Sequence, residues 1–479
     1  MTTTRTRTIL ACVLITSGLT MWTTQGSASA ASTPINGAGS SFAGIELEQW
    51  TTDVIRSPYF LQVNYTSSSS GAGRSQFKDG VIDYAVSDIR YNKFDGSPPP
   101  AGTYIYVPIT AGGIAIMYNL KTHGFGETSA PIRLTSFTIC AMFTGGIRYW
   151  DDANIKRDNP GRTLPHVLIT PVMRSDPAGT NFVMEEYCIA TQRAMYFAFA
   201  DAASRASGQD YPREPTSSWP LVKPIVGAEG SEGVANVVAG VGNDGYVTAV
   251  ETGYASQRHF PVAAVKNGSS NFVLPTEPNV GAALSYARQL DDGTHVLNFS
   301  PPAANAYNPS TYSYLIAHTT GFDPGKGHTL TAFANYCLTI GQKEAGRLRY
   351  ASIGRNLILQ GLNVIKKIPG YVAPSATELA AVPAIDAFNT HVNAARGKIT
   401  TPRASTGGST SVAAVSLNSA PAGRSNAPSA GVDPSAQLGP VGALGHTGAG
   451  EQALLALGGG CLVLLGEISR RRALRKRRT

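Results

Sequence analysis

The feature that most restricts the fold of this chain is an alternation of short apolar runs with helix-like segments between about residues 33 and 375. The strand-like runs are Val63–Tyr65, Tyr84–Ser87, Tyr104–Val107, Gly113–Tyr118, Val167–Val172, Gly245–Val250 and Tyr314–His318. The helix-like segments include Ile45–Ile55, Ser136–Phe143, Asn181–Ala200, Ser231–Ala239 and Leu330–Ile340. This alternation predicts an α/β fold with largely parallel sheets.

The two flanks of this region differ from it in composition. Residues 1–30 predict a secretory signal peptide, because Arg5 and Arg7 precede an apolar stretch and Ala28-Ser-Ala30 offers the small residues of a cleavage site. Residues 376–443 are rich in small residues and proline, which predicts a linker or stalk that cannot bury enough apolar surface to fold. The sequence leaves open whether residues 376–400 form one more helix.

Residues 444–479 resemble the sorting signals that sortases process on bacterial surface proteins. The segment Leu444-Gly-His-Thr-Gly448 precedes a hydrophobic segment, 453–469, and a basic end. Gly445 stands where such signals usually have proline, so a retained membrane anchor is the alternative to cleavage. Both interpretations predict a protein tethered at the cell surface, and the first implies sortase and peptidoglycan as partners.

The basic terminal segments account for most of the net charge of +8. Without residues 1–30 and 448–479 the chain loses nine basic and two acidic residues, which leaves 30 basic and 29 acidic side chains. A body of this near-neutral charge gives no support to a nucleic-acid partner. Three cysteines remain in it, and Cys140 and Cys188 are the candidate pair for a disulfide, which an exported protein can form.

Three loops rich in glycine and hydroxyl groups, each followed by a helix-like segment, indicate a binding site. They are Asn36–Phe42, Ser67–Gly73 and Arg174–Phe182. Each would direct backbone N–H groups, hydroxyls and the positive end of a helix dipole at one place, as an anion site requires. Taken singly, each loop is also explained by ordinary capping, because serine and asparagine are favoured helix N-caps.

Other signatures do not fit this chain. Gly37-Ala-Gly39 is followed by the next glycine only at Gly44, which is not the dinucleotide-binding spacing. Ser231 has Glu229 where a nucleophile elbow has its first glycine. No spacing of cysteine and histidine indicates zinc. The sequence therefore predicts a binding protein, not an enzyme, that uses neither a metal nor a cofactor.

Taken together, the motifs resemble those of PstS-type phosphate-binding proteins, which serve bacterial high-affinity phosphate importers. In the order and spacing of that family, the chain has GAGSSF from Gly37, VNYTSSSSGAG from Val63, QFKDGVIDYAVSDI from Gln76, RYWDDANIKRDNPGRTLP from Arg148, RSDPAGTNF from Arg174 and GNDGYV from Gly242. The resemblance runs from about Ile35 to Leu362. It implies a periplasmic-binding-protein type II fold, in which two α/β lobes enclose a central ligand cleft.

The resemblance also implies how the chain divides and which residues hold the ligand. Lobe 1 would comprise residues 31–112 and 313–375, and lobe 2 residues 113–312. The family's ligand positions fall on Ser41, Phe42, Ser70, Asp88, Arg174, Gly179 and Thr180. Asp176 is placed to orient the arginine, and the backbone amides from Gly71 to Gly73 are expected to lie at the ligand. We expect the chain to bind inorganic phosphate and to supply the permease of an ABC-type importer.

Two of these positions carry the chemical argument. Phosphate at neutral pH still holds a proton that Asp88 can accept, whereas sulfate holds none, so a facing carboxylate would exclude sulfate. Ala178 stands where the family has a serine, which removes one hydroxyl donor unless Ser175 or Asn181 compensates.

The alternative function is a cell-surface oxyanion-binding or adhesin-like protein of the same fold that feeds no transporter.

Overall fold

The computed structural model describes residues 32–94 and 97–384. The predicted signal peptide, most of the predicted linker and the sorting-signal-like tail lie outside the described residues. The strands are β1 (Ile35–Ser40), β2 (Val63–Ser68), β3 (Tyr84–Ser87), β4 (Tyr104–Tyr118), β5 (Arg133–Leu134), β6 (Thr170–Arg174), β7 (Val226–Ala228), β8 (Tyr246–Glu251), β9 (Ala264–Lys266), β10 (Phe272–Val273), β11 (Arg288–Gln289), β12 (His295–Val296) and β13 (Ser310–His318).

The α-helices alternate with these strands, as the sequence predicts. They are α1 (Gly44–Val54), α2 (Ser70–Lys78), α3 (Ser136–Phe143), α4 (Ala153–Asp158), α5 (Gly179–Ser207), α6 (Gly230–Ala239), α7 (Thr252–Gln257), α8 (Glu277–Leu284), α9 (Pro324–Leu338), α10 (Arg355–Val364) and α11 (Ala376–Ala381). Among the described residues, no helix is both long enough and apolar enough to cross a membrane.

The main sheet has eight strands in the order β2-β1-β3-β13-β4-β8-β6-β7. At one end β1 pairs in parallel with β2 and β3, and at the other β6 pairs in parallel with β7 and β8. The antiparallel strands β4 and β13 join these two parallel groups. The predicted α/β fold is therefore confirmed.

Strand β4 is one continuous element where the sequence analysis expected two strands. Pro108 and the Gly112-Gly113 pair separate the two apolar runs and suggested a break. In the structure the β4–β13 register shifts between Ser313 and Tyr314, opposite Pro108 and Thr110. Such a bulge tolerates proline, because a ladder hydrogen bond is already missing there. The first part of β4 pairs with β13, and the part from Ile114 onward pairs with β8.

Strand β1 was missed by the sequence analysis because its sequence, INGAGS, lacks the β-branched and aromatic residues of typical strands. The glycines are required by close packing on the neighbouring strand. A Cβ at Gly37 would lie 2.2 Å from the Tyr84 ring, and one at Gly39 would lie 2.0 Å from the carbonyl oxygen of Val86. Gly39 also has φ of +143°, which side chains rarely adopt.

The structure also shows the state of the cysteines and the structure of the residues after 375. Cys140 on α3 and Cys188 on α5 form a disulfide with Cα atoms 5.7 Å apart, and Cys337 is a buried free thiol. Residues 376–381 form helix α11, which is one of the two possibilities that the sequence left open for residues 376–400. Ser375 and Glu378 cap its first turn reciprocally, so the folded body extends beyond the predicted limit at 375.

Candidate functional site

The three loops identified in the sequence meet at the carboxyl ends of the parallel strands. Ser41 follows β1, Ser70 begins the helix after β2, and Asp88 directly follows β3. From the other parallel group, Arg174 ends β6, and Asp176 lies between it and α5. Ligands of open α/β sheets characteristically bind in the crevice outside these strand ends.

Arg174 is the cation of this cluster, and its guanidinium is held in a fixed orientation. Its side chain is only 3% exposed, and it forms a two-point ion pair with Asp176. One terminal nitrogen, Nη1, donates to Ser41 Oγ at 2.8 Å, and the other, Nη2, also donates to the carbonyl oxygen of Ser68 at 3.2 Å. Arg174 therefore connects the second parallel group to loops that follow β1 and β2.

Asp88 is the second charged group, and it is 4% exposed. Its Oδ1 accepts hydrogen bonds from Ser313 Oγ at 2.6 Å and Ser40 Oγ at 2.5 Å, and its Oδ2 accepts from Ser70 Oγ at 3.1 Å. Burial raises the pKa of Asp88, and the three hydroxyl donors and the charge of Arg174 oppose that rise.

The glycine at the start of α5 is required by this carboxylate. A Cβ at Gly179 would lie 2.5 Å from Asp88 Oδ2 and 2.8 Å from Ser70 Oγ. The adjacent loop is equally close, because Gly71 N donates to the carbonyl oxygen of Pro177 at 2.9 Å. The serine loop and the start of α5 are therefore in direct contact, one from each side of the cleft.

Thr180 and Ala178 flank Gly179, and only Thr180 has a side-chain hydroxyl that can donate a hydrogen bond. Thr180 is 2% exposed, and its Oγ1 has no hydrogen-bond partner among the described residues. Ala178 is the N-cap residue of α5 and is buried, without a side-chain cap. Its backbone N–H donates to the carbonyl oxygen of Ser217 at 2.9 Å. The first turn of α5 thus presents one hydroxyl, that of Thr180.

Neither residue considered as a substitute for the missing hydroxyl takes that role in the structure. The Ser175 side chain is exposed. The Asn181 side-chain amide donates to the carbonyl oxygens of Arg174 at 2.9 Å and Ser217 at 3.1 Å. Asn181 therefore supports the backbone on which Arg174 is mounted.

The loop of Ser41 and Phe42 is fixed from behind by two buried phenols. Tyr254 OH donates to the carbonyl oxygen of Ser41 at 3.0 Å, and Tyr350 OH donates to that of Phe42 at 2.5 Å. The Phe42 ring also meets Tyr350 edge to face, with centroids 6.2 Å apart. Because the carbonyl groups of Ser41 and Phe42 are both hydrogen-bonded to these phenols, the loop is held in place before any ligand binds.

Known proteins with similar sequences are phosphate-binding proteins, which agrees with the anion site that the geometry suggests. Residues 23–339 match the PBP superfamily domain. The phosphate-binding protein PstS of Xylella fastidiosa is 30% identical over 336 residues, which cover 69% of this chain and 84% of that protein. The chain belongs to the PstS-type family. Its relatives include PstS of Methanocaldococcus jannaschii, 25% identical over 367 residues covering 70% of this chain and 86% of that one.

Solved structures show the same fold at lower identity. A high-affinity periplasmic phosphate-binding protein, solved with phosphate bound, has a TM-score of 0.50 at 20% identity, covering 68% of this chain and 92% of its own. A human phosphate-binding apolipoprotein has a TM-score of 0.52 at 17% identity, covering 71% of this chain and all of its own. These structures support the expected fold, and the membership of the PstS-type family, expected from the motifs, is confirmed by the sequence matches.

Three serines of this PstS-type site were not assigned from the sequence. Ser40 was passed over beside Ser41, although both belong to the same motif. Ser313 comes from β13, 225 residues after Asp88, and no local signal marks it. Ser231 was considered only as a nucleophile, but its Oγ lies 3.0 Å from Ser41 Oγ. In the part of the chain that the structure describes, no group of three or more His, Cys, Asp or Glu side chains is placed to hold a metal ion.

Proposed function

We propose that this chain is an extracellular solute-binding protein that holds inorganic phosphate between its two lobes for an ABC-type importer. The observation that carries the proposal is the meeting of Arg174 and Asp88 in one buried cluster of hydroxyls and helix N-termini. The PstS-type relatives are named for binding phosphate, which agrees with this chemistry. The ligands in this proposal are Ser41, Phe42, Ser70, Asp88, Arg174, Gly179 and Thr180.

A tetrahedral oxyanion fits the donors at this site. Arg174 uses all five of its N–H groups within the protein, so a bound anion would replace the two serine hydroxyls as the acceptor of charge-assisted bonds from Nη1. Asp176 would keep the guanidinium plane in place. The N-termini of α2 and α5 add the positive ends of two helix dipoles. Neutral donors and a single arginine can balance an anion without a positively charged surface, which suits the near-neutral body of this chain.

Asp88 provides the selectivity in this proposal. A carboxylate that faces an anion repels it, unless the anion brings a proton for the carboxylate to accept. Monobasic and dibasic phosphate bring such a proton, and sulfate does not. With sulfate bound, the buried charge of Asp88 would have no proton to accept from the ligand. A site of this kind discriminates strongly against the ligand that leaves its charge unpaired.

The proposal extends to location and partners on sequence grounds. The signal peptide and the sorting-signal-like tail would place the phosphate site outside the cell, tethered to the wall by sortase or held in the membrane. The receiving partner would be the permease of the importer. The chain would bind and release phosphate without altering it chemically.

Calorimetric titration of the purified protein with phosphate tests the function. We expect saturable binding that Arg174→Ala abolishes, because this variant removes the guanidinium that contacts Ser41 and Ser68. Arg213→Ala is the matched control, since Arg213 pairs with Asp201 on the surface. The proposal fails if the unmodified protein gives no binding heat at millimolar phosphate, or if Arg174→Ala binds as tightly.

A further inference from the structure

Ser231 lies against two of the side chains proposed to hold phosphate. It is 2% exposed and occupies the first turn of α6. Its Oγ is 3.0 Å from Ser41 Oγ and accepts from Arg174 Nη1 at 3.2 Å, while its backbone N–H donates to Ser41 Oγ at 3.0 Å. This places a fourth loop, the one that precedes α6, at the cluster formed by the first three.

Asp176 fixes the position of that fourth loop. Its Oδ1 accepts from Arg174 Nε at 2.7 Å and from Gly230 N at 3.1 Å. Gly230 has φ of +72°, so the chain turns sharply at the first residue of α6. One carboxylate therefore holds both the guanidinium and the first turn of α6, and Ser231 is as firmly placed as Arg174.

The hydroxyl groups of Ser41 and Ser231 together carry one more proton than their hydrogen bonds in the described part of the chain use. Ser41 Oγ accepts N–H groups from Arg174 and Ser231, and Ser231 Oγ accepts one from Arg174. Each hydroxyl carries one proton, and the bond between the two oxygens uses one of these. The other proton has no acceptor among the described residues, although both side chains are buried.

We propose that Ser231 is a direct ligand of the bound phosphate and donates its hydroxyl to an oxygen that Arg174 also contacts. This inference rests on the proposed function and deepens it. Since Ala178 brings no hydroxyl at the start of α5, the start of α6 contributes one to the anion. A hydrogen bond to a charged group of this kind corresponds to about tenfold to a hundredfold in affinity.

The test is calorimetric titration of the full chain and its Ser231→Ala variant with inorganic phosphate. We expect the variant to bind at least about tenfold more weakly, while circular dichroism shows that it remains folded in the absence of phosphate. Ser136→Ala is the control, because Ser136 also starts a helix, α3, but its Oγ contacts Gln192. Equal affinity of Ser231→Ala and the unmodified protein overturns the inference while leaving phosphate binding intact. Absence of binding by the unmodified protein overturns the proposed function and the inference with it.

A double-variant cycle separates a ligand from a residue that merely positions Ser41. If Ser231 contacts phosphate, Ser231→Ala weakens binding in the Ser41→Ala background as well, although the factor differs because the two side chains are in contact. If its effect disappears in that background, Ser231 acts only through Ser41, and the inference is wrong.

Discussion

At the scale of single residues, the site places the guanidinium of Arg174 close to two carboxylates, those of Asp176 and Asp88. The ion pair with Asp176 neutralises Arg174, and burial raises the pKa of Asp88 while three hydroxyls and Arg174 stabilise its charged form. A ligand that brings both negative charge and a proton satisfies both groups at once. Few other ions of this size bring both a negative charge and a proton. The pair Asp88 and Arg174 is therefore the main support for phosphate as the ligand.

The absence of a side chain at Gly179 is the first testable requirement. Gly179→Ala should reduce phosphate affinity by at least tenfold, because the added Cβ would lie 2.5 Å from Asp88 Oδ2 and force the two sides of the cleft apart. Gly126→Ala is the control, since a Cβ there meets nothing within 4 Å. Calorimetry with phosphate measures both variants, and unchanged affinity of Gly179→Ala would contradict the close approach in the structure.

Glu185, two turns into α5, gives the stability of the protein a pH dependence. Burial raises its pKa from the ordinary 4.5 to about 8, and hydrogen bonds from Thr216 offset part of the rise. The folded state therefore keeps this proton to higher pH than the unfolded state. Its contribution to stability is complete below pH 4.5 and is lost as the pH rises toward 8, by about 1.4 kcal/mol per pH unit.

Glu185→Gln removes this titration and keeps a neutral group at the same place. Urea unfolding between pH 5 and 8 should show a smaller loss of stability with pH in the variant than in the unmodified protein. Parallel pH profiles for the two proteins would show that Glu185 does not titrate in this range.

At the scale of elements, the sequence predicted the helices better than the strands. The predicted segment Ser136–Phe143 matches α3, and Ser231–Ala239 lies within α6, because helical periodicity is local. Strand β1 was missed, since its glycines serve contacts with Tyr84 and Val86, nearly 50 residues away. Such contacts leave no pattern in a local window of sequence.

The same limit applies to the site. Ser70 and Asp88 were placed by motifs that lie within single loops. Ser313 reaches Asp88 from β13, and Ser231 reaches Ser41 across 190 residues, so only the sheet topology brings them in. Sequence therefore located the three loops, and the structure added the residues that distant elements contribute.

Helix α5 begins at the site and is tied to α3 by the disulfide between Cys140 and Cys188. The bridge closes a loop over a sequence separation of 48, for which chain entropy suggests about 4 kcal/mol of stabilisation. The double variant Cys140→Ser/Cys188→Ser should therefore melt at a lower temperature. A reductant should lower the melting temperature of the unmodified protein and leave that of the double variant unchanged. Identical melting of the two proteins without reductant would contradict a stabilising bridge.

At the scale of the whole molecule, the two sides of the cleft meet through several contacts that a ligand would reinforce. Gly71 contacts Pro177 through a backbone hydrogen bond, and Ser41 contacts Arg174. Strands β4 and β13 lie between the two parallel groups of strands and join them. Phosphate bound by groups from both lobes would shift the population toward the closed arrangement.

Hydrogen exchange measured by mass spectrometry detects this closure. Saturating phosphate should slow exchange in residues 69–73 and 176–180, which line the cleft, and leave helix α9 unchanged. Sulfate should have no such effect. Equal exchange of the cleft segments with and without phosphate would argue against a ligand held between the lobes.

The central claim is that a buried carboxylate selects a protonated tetrahedral oxyanion in this cleft. Its most direct test is calorimetric titration of the unmodified protein and Asp88→Asn with phosphate and with sulfate. We predict that the unmodified protein binds phosphate and rejects sulfate, and that Asp88→Asn binds sulfate, because asparagine removes the facing charge and adds a donor. Sulfate binding by the unmodified protein, or continued rejection of sulfate by Asp88→Asn, would contradict the account.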